Sequence, residues 1–286
     1  MTQLAWLNEL FGLPESASDH AELVDQFLEL VHWFMAILFV GWTIYFFYAI
    51  IKFRQKKNPK ADYYGVRGHG TTHIEIGVII VEAILLLGFA FPLWGQRTEE
   101  FPQDEDVLRI RAVGRQFSWS FQYPGADKEL GDVDPELIPA DPNKVGIDPT
   151  DPNGDDDFIA ANELVLPVGR LVVIDVASID VIHNLALVPM RIQQDAIPGT
   201  RAHMWFRPTK QGEWDIICGQ LCGSGHGTMR GIIRVLSQED YAAWEAGFAP
   251  APTSEAGDGG GGGIEELPEW NEPYDEGAIL KELNTP

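Results

Sequence analysis

The chain has 286 residues, enough for one medium domain with additional segments, and carries 43 acidic against 20 basic residues for a net charge of -23. That balance argues against a nucleic-acid partner and for a basic protein partner or a highly charged medium. Two cysteines are too few for a disulfide framework.

Residues 1–29 form an N-terminal segment whose end, Ala21–Leu30, is amphipathic and leads into an apolar run. From Leu30 to Ile51 the chain is almost wholly apolar, and a second run covers Ile76–Trp94 with Glu82 as its one ionisable residue. Each run is long enough to cross a bilayer as a helix. Trp33, Tyr48 and Trp94 stand near the ends as interfacial anchors. Residues 30–95 therefore read as a transmembrane helical hairpin. Its connecting segment carries Lys52, Arg54, Lys56, Lys57, Lys60 and Arg67 against Asp62. The positive-inside rule puts that segment in the cytoplasm or matrix, with the N-terminus and everything after Trp94 outside. The expected location is a cell inner membrane, crossed twice, with the C-terminal domain on the periplasmic side.

Ionisable residues at membrane depth are functional candidates. Glu75 stands at the cytoplasmic entrance of the second helix, and Glu82 lies on the same helical face, roughly 10 Å deeper. Both are proton-uptake candidates, set against an interfacial carboxylate for Glu75 and a hydrogen bond to a neighbouring subunit for Glu82.

Residues 96–247 read as an exported all-β domain. Val107–Gly114 and Gln116–Tyr123 alternate as paired strands. A Pro-, Gly- and Asp-rich insertion over 126–160 reads as a solvated acidic loop. Its Asp151–Asp155 stretch lacks the ligand spacing of a calcium loop. Strand signals resume at Glu163–Leu166, Leu171–Ala177, Asn184–Val188, Ala202–Arg207, Glu213–Cys218 and Gly231–Leu236. Seven or eight short strands predict a Greek-key sandwich or barrel. Gln238–Gly247 reads as a short helix. Residues 248–286 read as a Gly-rich linker and acidic tail.

Chemistry concentrates in Cys218–Met229. Both cysteines lie there, in the pattern C-x3-C-x3-H-x2-M formed by Cys218, Cys222, His226 and Met229, with His183 upstream. Two thiols, imidazoles and a thioether form a soft, copper-favouring ligand set. One cysteine suffices for a blue-copper site; a second at this spacing suits a dinuclear one. Zinc remains the rival for a Cys2His2 set, and a disulfide across so short a loop is disfavoured by geometry.

The hairpin, the all-β domain and this loop together resemble subunit II of the haem-copper cytochrome c oxidases over about residues 25–245. Asp180-Val181-Ile182-His183 resembles the segment carrying the first copper-ligand histidine, and Asp195–Gly199 is similar to the family's D-A-I-P-G turn. Gln116–Tyr123 resembles its aromatic segment, and Cys218–Met229 its copper loop. The resemblance implies a transmembrane hairpin followed by a cupredoxin-like Greek-key domain holding a dinuclear copper centre, CuA. Cys218 and Cys222 would bridge the two coppers, and His183 and His226 would each bind one. Met229 and the Gln220 carbonyl would complete the set. Electrons would come from cytochrome c or a similar carrier and pass to haem in subunit I, with a subunit III as a further partner. Oxygen reduction and proton pumping would lie in the assembled oxidase.

Three departures from the family stand out. Gln220 replaces a glutamate that commonly helps bind magnesium at the subunit I interface. A neutral amide is a weaker ligand, which counts against magnesium binding through it. Phe117 replaces the usual tryptophan of electron entry, with Trp119 two residues on, so both are entry candidates. Glu75 matches the family's glutamate at a proton-channel entrance, whereas Glu82 has no family counterpart. A copper-free quinol-oxidase-type subunit, a nitrous-oxide-reductase-type domain and a copper-delivery protein are the competing readings.

Overall fold

The computed structural model describes residues 12–60, 63–65, 68–98, 106–141 and 145–248. The start of the N-terminal segment, Asp62 and Arg67 of the connecting segment, and the acidic tail beyond 248 lie outside the described residues.

Helix α1 spans Ala21–Lys52, so the amphipathic stretch and the apolar run form one continuous element. Helix α2 spans Gly70–Thr98. A π-helical turn, Leu86–Ala90, interrupts it just before Pro92. Proline has no N–H for the preceding turn and its ring crowds that turn's carbonyls, and a widened turn absorbs both effects. Phe27 of α1 stacks on Phe89 of α2 with centroids 6.1 Å apart, which sets the two helices side by side. Their other large apolar side chains, including Phe39, Ile44, Ile79 and Leu87, face outward. Such an apolar surface requires a hydrocarbon solvent or a protein partner.

The C-terminal domain is a sandwich of two five-stranded sheets. The first contains β1 (Leu108–Arg115), β2 (Ser118–Tyr123), β3 (Phe158–Ala161), β5 (Val172–Ser178) and β8 (Ala202–Phe206), in the order β3-β2-β1-β5-β8. The second contains β4 (Glu163–Pro167), β6 (His183–Leu187), β7 (Ile192–Ala196), β9 (Gly212–Cys218) and β10 (Arg230–Leu236), in the order β4-β10-β9-β6-β7. The β1–β5 and β4–β10 pairings are parallel and the rest antiparallel.

Alternation on β2 sends Trp119, Phe121 and Tyr123 into the core. They meet Leu164 and Leu166 of β4, Leu185 and Leu187 of β6, and Ile216 of β9 in one buried cluster. Each such side chain is worth about 1.5–3 kcal/mol when fully buried. The Tyr123 hydroxyl donates to the Val165 carbonyl at 3.1 Å and accepts from the Val165 N–H at 2.7 Å, joining the two sheets. Helix α3, Gln238–Ala246, is capped by Ser237, whose Oγ accepts from the Asp240 N–H at 3.0 Å. Its Trp244 closes the core edge-on against Tyr123 and Phe158.

Two strands have no counterpart among the sequence expectations. β3 follows directly on the acidic insertion, so the irregular segment ends at Asp157 and not at 160. β7 reads Ile-Gln-Gln-Asp-Ala and is nearly polar in sequence. It forms because it pairs along β6, from His183–Ala196 to Leu187–Ile192. Gln116 and Phe117 lie in the turn between β1 and β2 and not in a strand. The acidic insertion is itself fastened through its carboxylates. Asp157 Oδ2 accepts from the Gly131 N–H at 2.9 Å and from Gln122 Nε2 at 2.5 Å. Asp156 accepts from Ala126, Asp151 from Asp132, and Asp141 from both Val145 and Gly146.

A strap before α1 joins the hairpin to the sandwich. Ala17 N–H donates to the Pro189 carbonyl at 2.8 Å, and the Ala17 carbonyl accepts from Thr209 at 2.8 Å. Arg191 donates through Nε and Nη2 to the Asp25 carboxylate at 2.7 and 3.2 Å, and through Nη2 to the Pro14 carbonyl at 2.8 Å.

Candidate metal centre

Three segments bring the donors together. His183 opens β6, Cys218 ends β9, Cys222 and His226 lie on the following loop, and Met229 ends that loop before β10. Leu185 of β6 pairs with Cys218 of β9, which sets His183 beside the loop. The loop closes on itself through Thr228 and Met229 N–H groups that donate to the Gly225 carbonyl at 3.0 and 3.1 Å. Gly223 has φ +138, a conformation that favours glycine.

The donors form a chain. His183 Nδ1 lies 4.0 Å from Cys218 Sγ, the two Sγ atoms are 3.9 Å apart, and Cys222 Sγ is 3.8 Å from His226 Nδ1. Met229 Sδ lies 3.7 Å from Cys222 Sγ, and the Gln220 carbonyl lies 3.1 Å from Cys218 Sγ. The Gln220 side chain is exposed. Donor atoms of His183, Cys218 and Cys222 fall within 4.8 Å of one another. Both thiols are free and buried. Burial and the neighbouring Cys218 push the Cys222 thiol up to about 11. A bound cation must therefore displace its proton.

This donor set fits a soft metal. A single tetrahedral ion would need its two imidazoles and two sulfurs around one point. Here His183 Nδ1 is 4.0 Å from Cys218 Sγ and His226 Nδ1 is 3.8 Å from Cys222 Sγ, so each sulfur has an imidazole beside it.

Further residues position these donors. Asp180 Oδ1 accepts from His183 Nε2 at 2.8 Å, leaving Nδ1 to face the sulfur. Asp180 Oδ2 accepts from the Gln116 N–H at 2.7 Å, and Gln116 Nε2 donates to the Cys222 carbonyl at 2.5 Å. These contacts hold the Asp180 carboxyl below the usual carboxylate range, against a desolvation that would raise it. Gly114 lets the His183 ring approach: a Cβ there would stand 3.0 Å from that ring and 3.0 Å from Trp119. Asp180 and Gln116 were within the recognised motifs but carried no role there. The spacing Asp-x-x-His was the available signal, since a carboxylate so placed can orient an imidazole.

The two aromatic candidates separate. Phe117 is half-buried, and its ring lies over Gly223 and Gly225 of the loop; a Cβ on Gly225 would come 2.4 Å from it. Trp119 is fully buried, edge-on to His183 with centroids 5.9 Å apart. A docked donor therefore cannot touch Trp119 directly, and Phe117 is the nearer of the two to the surface. Alternation on β2 put its side chain inward.

In the hairpin, Glu75 lines a groove of ≈ 570 Å³ between the helices with Gly41, Trp42 and Tyr45. Glu82 is exposed on the hairpin surface and is not part of that groove.

Comparisons with known proteins agree with this architecture. Residues 108–236 match the family described as cytochrome C oxidase subunit II, periplasmic domain, and residues 6–94 match its transmembrane domain. The chain is 30% identical over 223 residues to the alternative cytochrome c oxidase subunit 2 of Bradyrhizobium diazoefficiens, covering 77% of this chain and 78% of that one. It is 28% identical over 243 residues to cytochrome c oxidase subunit 2 of Cereibacter sphaeroides, covering 75% and 74%. A crystal structure of the periplasmic domain of subunit II of cytochrome oxidase of Bradyrhizobium japonicum is 29% identical, covering 52% of this chain and 96% of that one with a TM-score of 0.37. With two apolar helices, a cupredoxin-like sandwich and a family match in each part, the chain belongs to the cytochrome c oxidase subunit II family: a membrane subunit of haem-copper terminal oxidases whose C-terminal domain lies on the outer side.

Proposed function

We propose that this chain is the electron-entry subunit of its oxidase and that Cys218, Cys222, His183, His226, Met229 and the Gln220 carbonyl hold two copper ions. The observation that carries the reading is the donor chain His183–Cys218–Cys222–His226, with no step longer than 4.0 Å. When bound, the copper pair supplies one-electron exchange with little rearrangement, between a cytochrome c-type donor and the haem of subunit I. The residues of this chain do the rest. Asp180 fixes the His183 tautomer, and Gln116 ties the Phe117 turn to the Cys222 backbone. Phe117 covers the loop at the surface where a donor docks, and Trp119 packs behind His183.

The hairpin crosses a cell inner membrane twice and packs against subunit I, with a subunit III as a further partner. Glu75 collects protons at the inner mouth of the groove, while Glu82, outside that groove, is a separate uptake candidate that a neighbouring subunit would cover. The exposed neutral side chain of Gln220 offers magnesium little, so no magnesium is assigned to it.

The test is a metal count and an electron paramagnetic resonance spectrum on the purified oxidase carrying this subunit. Two coppers per subunit II sharing one unpaired electron are expected. One copper, or zinc, at this loop overturns the reading. Replacing Glu75 by Gln is expected to slow proton uptake by the assembled oxidase; unchanged turnover removes that role.

A further inference from the structure

The hairpin and the sandwich meet around a second cavity, of ≈ 410 Å³, far from the sulfur loop in sequence. One wall is apolar and comes from the outer ends of the two helices, through Val24, Phe27 and Leu93. The opposite wall is mixed and comes from the sandwich, with Gln194 and His203 beside Ile192 and Met204. Arg97 stands between the walls. Its guanidinium lies 4.2 Å from the Trp205 ring centroid, stacked as a cation on an aromatic face. Its Nη1 is shielded and has no hydrogen-bond partner among the described residues. The nearby carboxylate, Asp19, stands 4.0 Å from Nη2, beyond hydrogen-bond range. That carboxylate is engaged elsewhere: Asp19 Oδ1 lies 3.2 Å from His20 Nδ1 and accepts from the Arg207 N–H at 3.3 Å.

Depth points to the occupant. Trp94 is 62% exposed and sits at the rim of the cavity, as an interfacial anchor does. Arg97 lies three residues further, about 4.5 Å along the helix away from the hydrocarbon. A group in this cavity therefore has apolar helix below it and a cation at headgroup level. We propose that the cavity seats the headgroup of an anionic phospholipid of the outer leaflet, its phosphate paired with Arg97 and its acyl chains lying along Phe27 and Leu93. A mainly apolar lining with one cation at headgroup depth favours a lipid, whose chains cover the helix wall while its phosphate meets Arg97. The proposal is independent of the copper reading, since no residue of the cavity touches the sulfur loop.

The experiment uses the whole oxidase, purified in detergent and stripped of loosely held lipid. Retained phosphatidylglycerol is counted by native mass spectrometry, with phosphatidylcholine and inorganic phosphate as competing probes. Wild type is expected to retain phosphatidylglycerol in preference to phosphatidylcholine, and inorganic phosphate is expected not to displace it. Arg97→Gln should weaken retention about tenfold, the worth of one charge-assisted hydrogen bond, while Arg97→Lys should keep most of it. Should Arg97→Gln fail to assemble, Gln194→Leu leaves the Arg97–Trp205 stack in place and should weaken retention about threefold. Equal retention of both lipids, or no change in either variant, overturns the proposal. Displacement by phosphate overturns it in favour of a free-anion site. Loss of subunit I from Arg97→Gln with lipid unchanged overturns it in favour of a partner's carboxylate.

Discussion

The sulfur loop and the acidic insertion are both long, irregular and glycine-bearing, yet they are ordered by opposite means. Cys218–Met229 closes its own turn at Gly225, but its donors are positioned from outside. Asp180 and Gln116 come from other segments, and His183 is delivered by a neighbouring strand. The insertion over 126–157 is shaped largely from within, by aspartates that accept backbone N–H groups of the same segment, as at Asp141, Asp151 and Asp156. A carboxylate that caps a turn spends its charge locally, whereas a thiol or imidazole held from afar stays available to a ligand.

The contrast is sharpest if one residue of each region is removed. Cys222→Ser is expected to abolish the paired-copper signal entirely while the domain stays folded; a surviving dinuclear spectrum would break the ligand assignment. The charge of the two regions can be separated by salt. The on-rate of a basic cytochrome should fall by tenfold or more between low and physiological ionic strength. Stopped-flow rates that ignore salt would remove steering from the account. Glu136→Gln, an exposed change in the insertion, should alter the low-salt rate by less than twofold, because steering sums over the whole surface.

Asp157→Ala tests the insertion itself. It strands the Gly131 N–H and removes the nearer of two acceptors from the buried Gln122 amide, which keeps the Gly131 carbonyl at 3.5 Å. A loss of about 1–3 kcal/mol in unfolding free energy is expected, with copper content unchanged. A fall in copper content would mean that the two regions are coupled. The smallest effect expected is alkaline. Burial raises the hydroxyls of Tyr123 and Tyr241 above their ordinary range. The unfolded chain ionises these groups near pH 10 and the folded one does not. Their contribution is therefore complete below pH 10 and is lost as pH rises beyond it. Unfolding midpoints measured from pH 8 to 11 should decline, and Tyr241→Phe should flatten part of that decline.

The same contrast explains what could be read before any coordinates. The hairpin was legible because two runs of about twenty almost wholly apolar residues have few other uses. The clustering of His183, Cys218 and Cys222 was legible because cysteine and histidine at those spacings are chemically distinctive. β7 was not, since Gln193, Gln194 and Asp195 owe their strand to pairing with β6 and not to their own propensity. The burial of Trp119 follows from alternation on β2, which sends its ring inward with Phe121 and Tyr123. The aspartate staples of the insertion were hidden because a capping carboxylate and a solvated one look alike in a sequence.

The strap at Ala17 and the Arg191–Asp25 pair mount the sandwich on the hairpin at a point separate from the covalent link after α2. A domain held only by one linker would swing, and its height above the bilayer would vary. Electron tunnelling weakens exponentially with distance, so such swinging would spread transfer times widely. With two mounting points the sandwich behaves as a bracket and not a pendulum. Under the proposed electron-entry role, every turnover then starts from nearly the same gap.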